Sequence, residues 1–183
     1  MLKHVTIAGK WEQLRGLDGG DMHFIYLTND RVLFISHGFS CIWRSENGGK
    51  SWEMIKQKDF VDVHFYDMAE LDGKLYAGSN KGLWYSEDRG KTWMKIPTIK
   101  DVDDGRYHAI SLAVYDGKLF FAVVLDKPYR HENPGDSKLY YLENKQVKEF
   151  SIPTKEEITI SARDPYLLVS GPYSGLYVYS NGS

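Results

Sequence analysis

Along most of the chain, apolar and polar positions alternate with period two in short runs, such as Leu75-Tyr76-Ala77-Gly78 and Gly82-Leu83-Trp84-Tyr85. Clusters of Gly, Asn and Asp break the runs, and no stretch carries the three-to-four spacing of a long amphipathic helix. Asp72-Gly73-Lys74 and Asp116-Gly117-Lys118 read as matching hairpin turns, because Asp-Gly supplies the positive φ angles that a two-residue loop requires. The pattern predicts an all-β chain of short antiparallel strands.

A longer period lies over the short one. Trp11, Trp52 and Trp93 are 41 positions apart, as are Trp43 and Trp84, Ser45 and Ser86, and Gly49 and Gly90. Leu14, Ile55 and Ile96 follow the first set at one offset. Four strands in roughly 40 residues is the repeat of a propeller blade. We therefore expect one domain over 1–183, a small β-propeller of about four blades of four antiparallel strands. The blades are placed at 22–56, 62–96, 107–152 and 157–179, with strands A to D running outward from the axis. The last blade is one strand short. Residues 10–14 form a D-type strand without a blade, so the N-terminal strand is expected to close the ring and leave no bare ladder. The rival arrangement is two open halves pairing into a larger ring. A monomer is expected, with a dimer as the alternative.

Composition narrows the partners. Lys and Arg number 23 against 25 Asp and Glu, a net charge of −2, with no basic block to neutralise phosphates. Nucleic acid is not an expected partner. The apolar run at 119–125 is too short to span a bilayer, which argues against a membrane. A single cysteine, Cys41, and a start without a secretory leader point to a reducing, cytoplasmic setting. Aromatic residues make up 14% of the chain, a share that suits pleated, half-buried surfaces.

Two segments carry a more specific signal. Ser86-Glu87-Asp88-Arg89-Gly90-Lys91-Thr92-Trp93 fits Ser-x-Asp-x-Gly-x-Thr-Trp throughout, and Ser45-Glu46-Asn47-Gly48-Gly49-Lys50-Ser51-Trp52 departs only at Asn47 and Ser51. The chain resembles the Asp-box (BNR) propellers, which include sialidases and sortilin-type receptors. The resemblance is firm over about 29–100 and absent from blade three, where Leu142-Glu143-Asn144-Lys145 replaces the box. It implies that the boxes are peripheral C-to-D turns. Ser45, Asn47, Gly49 and Trp52, with Ser86, Asp88, Gly90 and Trp93, are then structural and not catalytic. The sialidases of that family use three arginines to hold a carboxylate, with an Arg-Ile-Pro-type motif before their first box, and that motif is missing here.

The candidate chemistry lies at the rim where each strand A begins. His23, His64 and His108 are spaced 41 and 44 apart, with Asp21 and Asp62 two residues before the first two. If these positions correspond, the imidazoles converge near the axis, and a divalent metal such as zinc is the cofactor such a set would hold. Packing or shared repeat ancestry is the weightier explanation for repeated histidines. On the same rim the B-to-C connection of blade three is long, over 126–138, and offers Tyr129, Arg130 and His131 for ligand binding. Asp18, Asp59, Asp101, Asp103 and Asp104 make this mouth acidic. The expected function is a non-catalytic binding or scaffold module taking a protein or small ligand at this rim. The alternatives are an enzyme, a metal-assisted hydrolase or lyase or a divergent glycosidase, and a structural part of an assembly.

Overall fold

The computed structural model describes residues 22–37, 40–103, 107–125 and 137–180. Their strands fall into four antiparallel sheets, each in sequence order. Blade one is β1 (Met22–Leu27), β2 (Leu33–His37), β3 (Ile42–Ser45) and β4 (Glu53–Ile55). Blade two is β5 (Phe65–Leu71), β6 (Lys74–Ser79), β7 (Gly82–Ser86) and β8 (Met94–Ile96). A helical turn, α1 (Lys100–Asp103), leads to blade three: β9 (Tyr107–Tyr115), β10 (Lys118–Leu125), β11 (Ser137–Glu143) and β12 (Gln146–Phe150). Blade four has β13 (Thr159–Arg163), β14 (Tyr166–Gly171) and β15 (Gly175–Ser180).

The hairpins close as their turn residues require. Asp72 and Gly73 have φ of 52° and 72°, and Asp116 and Gly117 have 50° and 66°, the positive pair of a two-residue loop. Where blade three lacks a box, Asn144 and Lys145 make the same kind of turn, at 52° and 64°. Two features differ from expectation. Strand A of blade two begins at Phe65, three residues after Asp62, because Val63 N–H bonds back to the Phe60 carbonyl and Asp62 sits at φ 51°. The helical turn α1 was not foreseen; the Asp103 carboxylate accepts both the amide and the hydroxyl of Thr98 and holds it closed.

The core lies between blades, in three layers. Phe34, Ile42, Met68, Leu75 and Trp93 fill the junction of blades one and two. Leu83, Leu112, Leu119 and Phe121 fill the next, and Phe120, Leu139, Ile160, Leu167 and Val169 the third. The innermost strands β1, β5, β9 and β13 pack in succession, and among the described residues β1 and β13 do not pack as closely as these neighbours do. Residues 10–14, expected to complete blade four, lie outside the described residues. Among the described residues no helix is long and apolar enough to cross a membrane.

Candidate functional site

At the leading rim, β1, β5 and β9 start side by side and bring four rings together. The His23 ring lies 6.3 Å from His64 and 5.7 Å, edge-on, from Tyr66. Tyr66 stacks on His108 at 5.8 Å and 19°, with its hydroxyl 3.4 Å from His108 Nδ1. His23 is exposed and the other three are half-buried. The approach to β5 is held by the B-to-C turn: Asn80 Oδ1 accepts His64 N–H at 2.8 Å, Asn80 Nδ2 donates to the Asp62 carbonyl, and Lys81 Nζ donates to the Val61 carbonyl. Burial and then the neighbouring His23 push the His64 pKa below the usual imidazole value, against the pull of Asp62. His64 is thus biased toward its neutral form.

The ladders change which residues correspond. Leu33 pairs with Ser45 as Leu75 pairs with Ser86, and Phe24 pairs with Ser36 as Asp67 pairs with Gly78. Between blades one and two the offset is therefore 41 in strand C, 42 in strand B and 43 in strand A. Each strand A carries a bulge, at 22/24 in β1, 65/67 in β5 and the ladder position of Ala122/Val123 in β9. On this register His64 corresponds to His108, but His23 corresponds to Tyr66. The 41-residue spacing of His23 and His64 comes from loop lengths, not from one structural position. Tyr66 is the site residue that the 41-residue period missed; the extra residue in each of the A-to-B and B-to-C loops of blade one is the signal that would have found it.

Asp62 is exposed beside His64, and its backbone, not its carboxylate, makes the tie to Asn80. Among the described residues no three His, Cys, Asp or Glu side chains are grouped to hold a metal ion. What His108 meets is the Tyr66 ring. Asp21, Tyr129, Arg130 and His131 lie outside the described residues. Along the axis, Tyr26, Asp67, Glu70, Leu112, Val114 and Ser161 line a groove of about 400 Å³. Burial raises the Asp67 pKa, although its carboxylate accepts the Leu112 and Met68 amides at 2.6 and 2.8 Å. Glu70 likewise accepts Asn29 N–H at 3.0 Å.

The boxes sit on the periphery, away from this rim. Ser86 Oγ accepts Gly90 N–H at 2.8 Å and donates to Asp88, whose carboxylate also takes the amides of Lys91 and Thr92 and the Thr92 hydroxyl. Trp93 Nε1 closes the turn on the Gly90 carbonyl. Asn47 does the same work with one oxygen, taking Ser45 Oγ and Ser51 N–H, while its amide donates to Ser51 Oγ. Residues 83–96 match the BNR-Asp box repeat family.

The chain is a β-propeller that carries an Asp-box repeat. No match to a curated protein was found. Among solved structures, the propeller resembles an ancestral GH74 enzyme at TM-score 0.68 and 17% identity, covering 88% of this chain and 26% of that one. It resembles the computationally designed Ika4 protein at 0.64 and 8%, covering 94% and 100%, and the Dos1 propeller at 0.61 and 13%, covering 87% and 44%. The propeller thus spans about a quarter of the GH74 chain and less than half of the Dos1 chain. At these identities the likeness is one of fold alone.

Proposed function

We propose that this propeller is a non-catalytic binding module whose leading rim takes a protein loop or a small ligand. The observation that carries the reading is the ring cluster: His23, His64, Tyr66 and His108 come from three blades and offer flat, partly exposed surfaces. Such rings bind planar or cationic groups by stacking and by their edge nitrogens. His64, biased toward neutrality, presents its ring as a neutral flat surface. The two carboxylates of the axial groove named above both accept backbone amides, which favours positioning over acid–base work.

A fragment library read by ligand-observed NMR tests this, with the wild type beside Tyr66→Ala and a His23→Ala/His108→Ala double variant. Planar or cationic hits should bind the wild type and weaken at least tenfold in both variants. Hits that bind all three proteins equally would move recognition away from this rim. Turnover of a fragment would overturn the non-catalytic reading.

A further inference from the structure

Every junction inside the chain is built alike: the front face of one blade meets the rear face of the next. In blade two the rear positions are Met68, Leu75, Ala77, Trp84 and Trp93, all buried against blade one. The ladder places Ile25, Leu33, Ile35, Trp43 and Trp52 at the same positions of blade one. That rear face is apolar too, and among the described residues no blade lies against it: Met68 is 2% exposed and Ile25 73%, although Ile35 deeper on the same face is 2% exposed. Leu27 and Met54 are exposed beside Ile25.

The other end shows the complementary surface. Ala122 pairs with Leu139 as Ser170 pairs with Leu176, and Phe120 pairs with Tyr141 as Leu168 pairs with Val178. Leu139 is 0% exposed against blade four, whereas Leu176 is 63% and Val178 58% exposed. Tyr166 is exposed on the same face. Among the described residues, the arc therefore starts with a rear face whose inner edge is open at Ile25 and Leu27 and ends with a front face open at Leu176 and Val178. With β1 and β13 less closely packed than the other inner pairs, and Ile25 and Leu176 both exposed, the two do not satisfy each other within the described arc.

We infer that a second copy of this chain covers both faces. The front of blade four of one copy seats on the rear of blade one of the other, twice about a two-fold axis, to close an eight-bladed ring. The new contact continues the junction the chain already makes three times, so it needs no new type of surface. Detail supports it. Gly90 and Trp93 of the second box rest on Phe34 of the preceding blade, and the ladder counterpart of Phe34 in blade four is Leu168. Across the proposed contact Gly49 and Trp52 of the first box would rest on Leu168 of the partner copy. Trp52 Nε1 is buried without a partner among the described residues. A rear face with the chemistry of a blade junction, repeated on every inner blade, fits another blade better than a peptide or a lipid surface.

Light scattering after size exclusion tests the full chain, whose mass is 21.1 kDa. The wild type should run at twice that mass. Ile25→Asp and Leu176→Asp each place a charge in one of the two faces and should raise the dimer dissociation constant at least tenfold. Both positions are exposed on the single chain, and circular dichroism should show the variants folded as the wild type is. Mixing them should restore a heterodimer, because the variant at Ile25 keeps an intact front and the variant at Leu176 an intact rear. A wild type at the mass of one chain at all concentrations, a larger closed ring, variants that dimerise as well as the wild type, or a mixture that stays monomeric would each overturn the proposal.

Discussion

The junction of blades one and two and that of blades three and four solve the same problem with different chemistry. The first is tied at its periphery by a polar network running through the second box. Arg44, buried, donates from Nε to the Arg89 carbonyl and pairs with Glu46 and Glu53, while Arg89 reaches Asp30 and Glu46. Gln57 of blade one both accepts from and donates to the Trp93 backbone. Among the described residues the last junction shows no box. Its periphery is an aromatic cluster in which Phe120 stacks on Tyr141 at 5.4 Å, meets Phe150 edge-on at 5.3 Å, and Phe150 meets Tyr179 at 5.0 Å. A box fixes a turn by directional bonds and presents a glycine that lets blades approach. Without it, ring volume fills the same space.

If ring packing has taken over from the box, truncating its centre should be the most damaging change. Phe120 is buried in the cluster, and Phe120→Ala should cost about 4 kcal/mol, read from urea denaturation. A loss below about 1 kcal/mol would mean that the cluster is not what holds blade four.

At the boxed junction the corresponding weak point is a residue with no side chain. Gly90 has φ of 79°, and a Cβ there would lie 2.4 Å from the Phe34 ring. Gly90→Ala therefore combines backbone strain with overpacking and should cost about 3 kcal/mol. The Phe34→Leu change in the same chain should recover part of it, since the clash is with the ring edge. No recovery would assign the loss to backbone strain alone.

These two junctions also show what was legible beforehand. The boxes, the hairpin turns and the strands stood out because a turn needing positive φ admits few residue types, and 41-residue recurrence of Trp, Ser and Gly leaves little ambiguity. The aromatic cluster was not legible. Phe120, Phe150 and Tyr179 belong to no motif, and their meeting depends on which face of each strand turns toward the neighbour. The rim was half legible. His64 and His108 do correspond, but His23 does not, because blade one carries an extra residue in both its A-to-B and B-to-C loops, and together they shift strand A by two places so that His23 aligns with Tyr66. Tyr66 followed from the ladder and not from the repeat.

A third contrast concerns how blades are clasped near the axis. Asp67 of β5 reaches the Leu112 amide of β9, and at the same ladder position of the next blade Ser111 Oγ accepts from Ile160 N and donates to its carbonyl. One position thus clasps two successive junctions, once with a charge and once without. Asp67→Ala should cost about 2 kcal/mol by leaving two amides without their acceptor. Burial raises the folded-state pKa of Asp67 above its ordinary 3.8, so its contribution is complete below that value and declines as pH rises through the folded value. The gap between wild type and Asp67→Ala should therefore be wider in acid than at neutral pH. A gap that widens toward neutrality would contradict the burial of this carboxylate.

The box carboxylate should behave in the opposite sense. Burial pushes the Asp88 pKa up, but the Thr92 hydroxyl and amide, the Ser86 hydroxyl and the Lys91 amide outweigh it and hold the group below 3.8. Its contribution is present above 3.8 and is lost as pH falls through the lower folded value. Asp88→Asn makes the second box a copy of the first at this position, where Asn47 already holds a closed turn with a single acceptor oxygen. The cost at neutral pH should be below about 1 kcal/mol, because the site is largely solvated and only one acceptor is exchanged for a donor. Of the two variants, only Asp88→Asn should flatten the acid-side fall in melting temperature, and only Asp67→Ala should remove the decline toward neutral pH. A box whose Asn form unfolds the junction would show that the charge, not the oxygen, closes the turn, and Asn47 would then need a partner of its own on the rear of blade one.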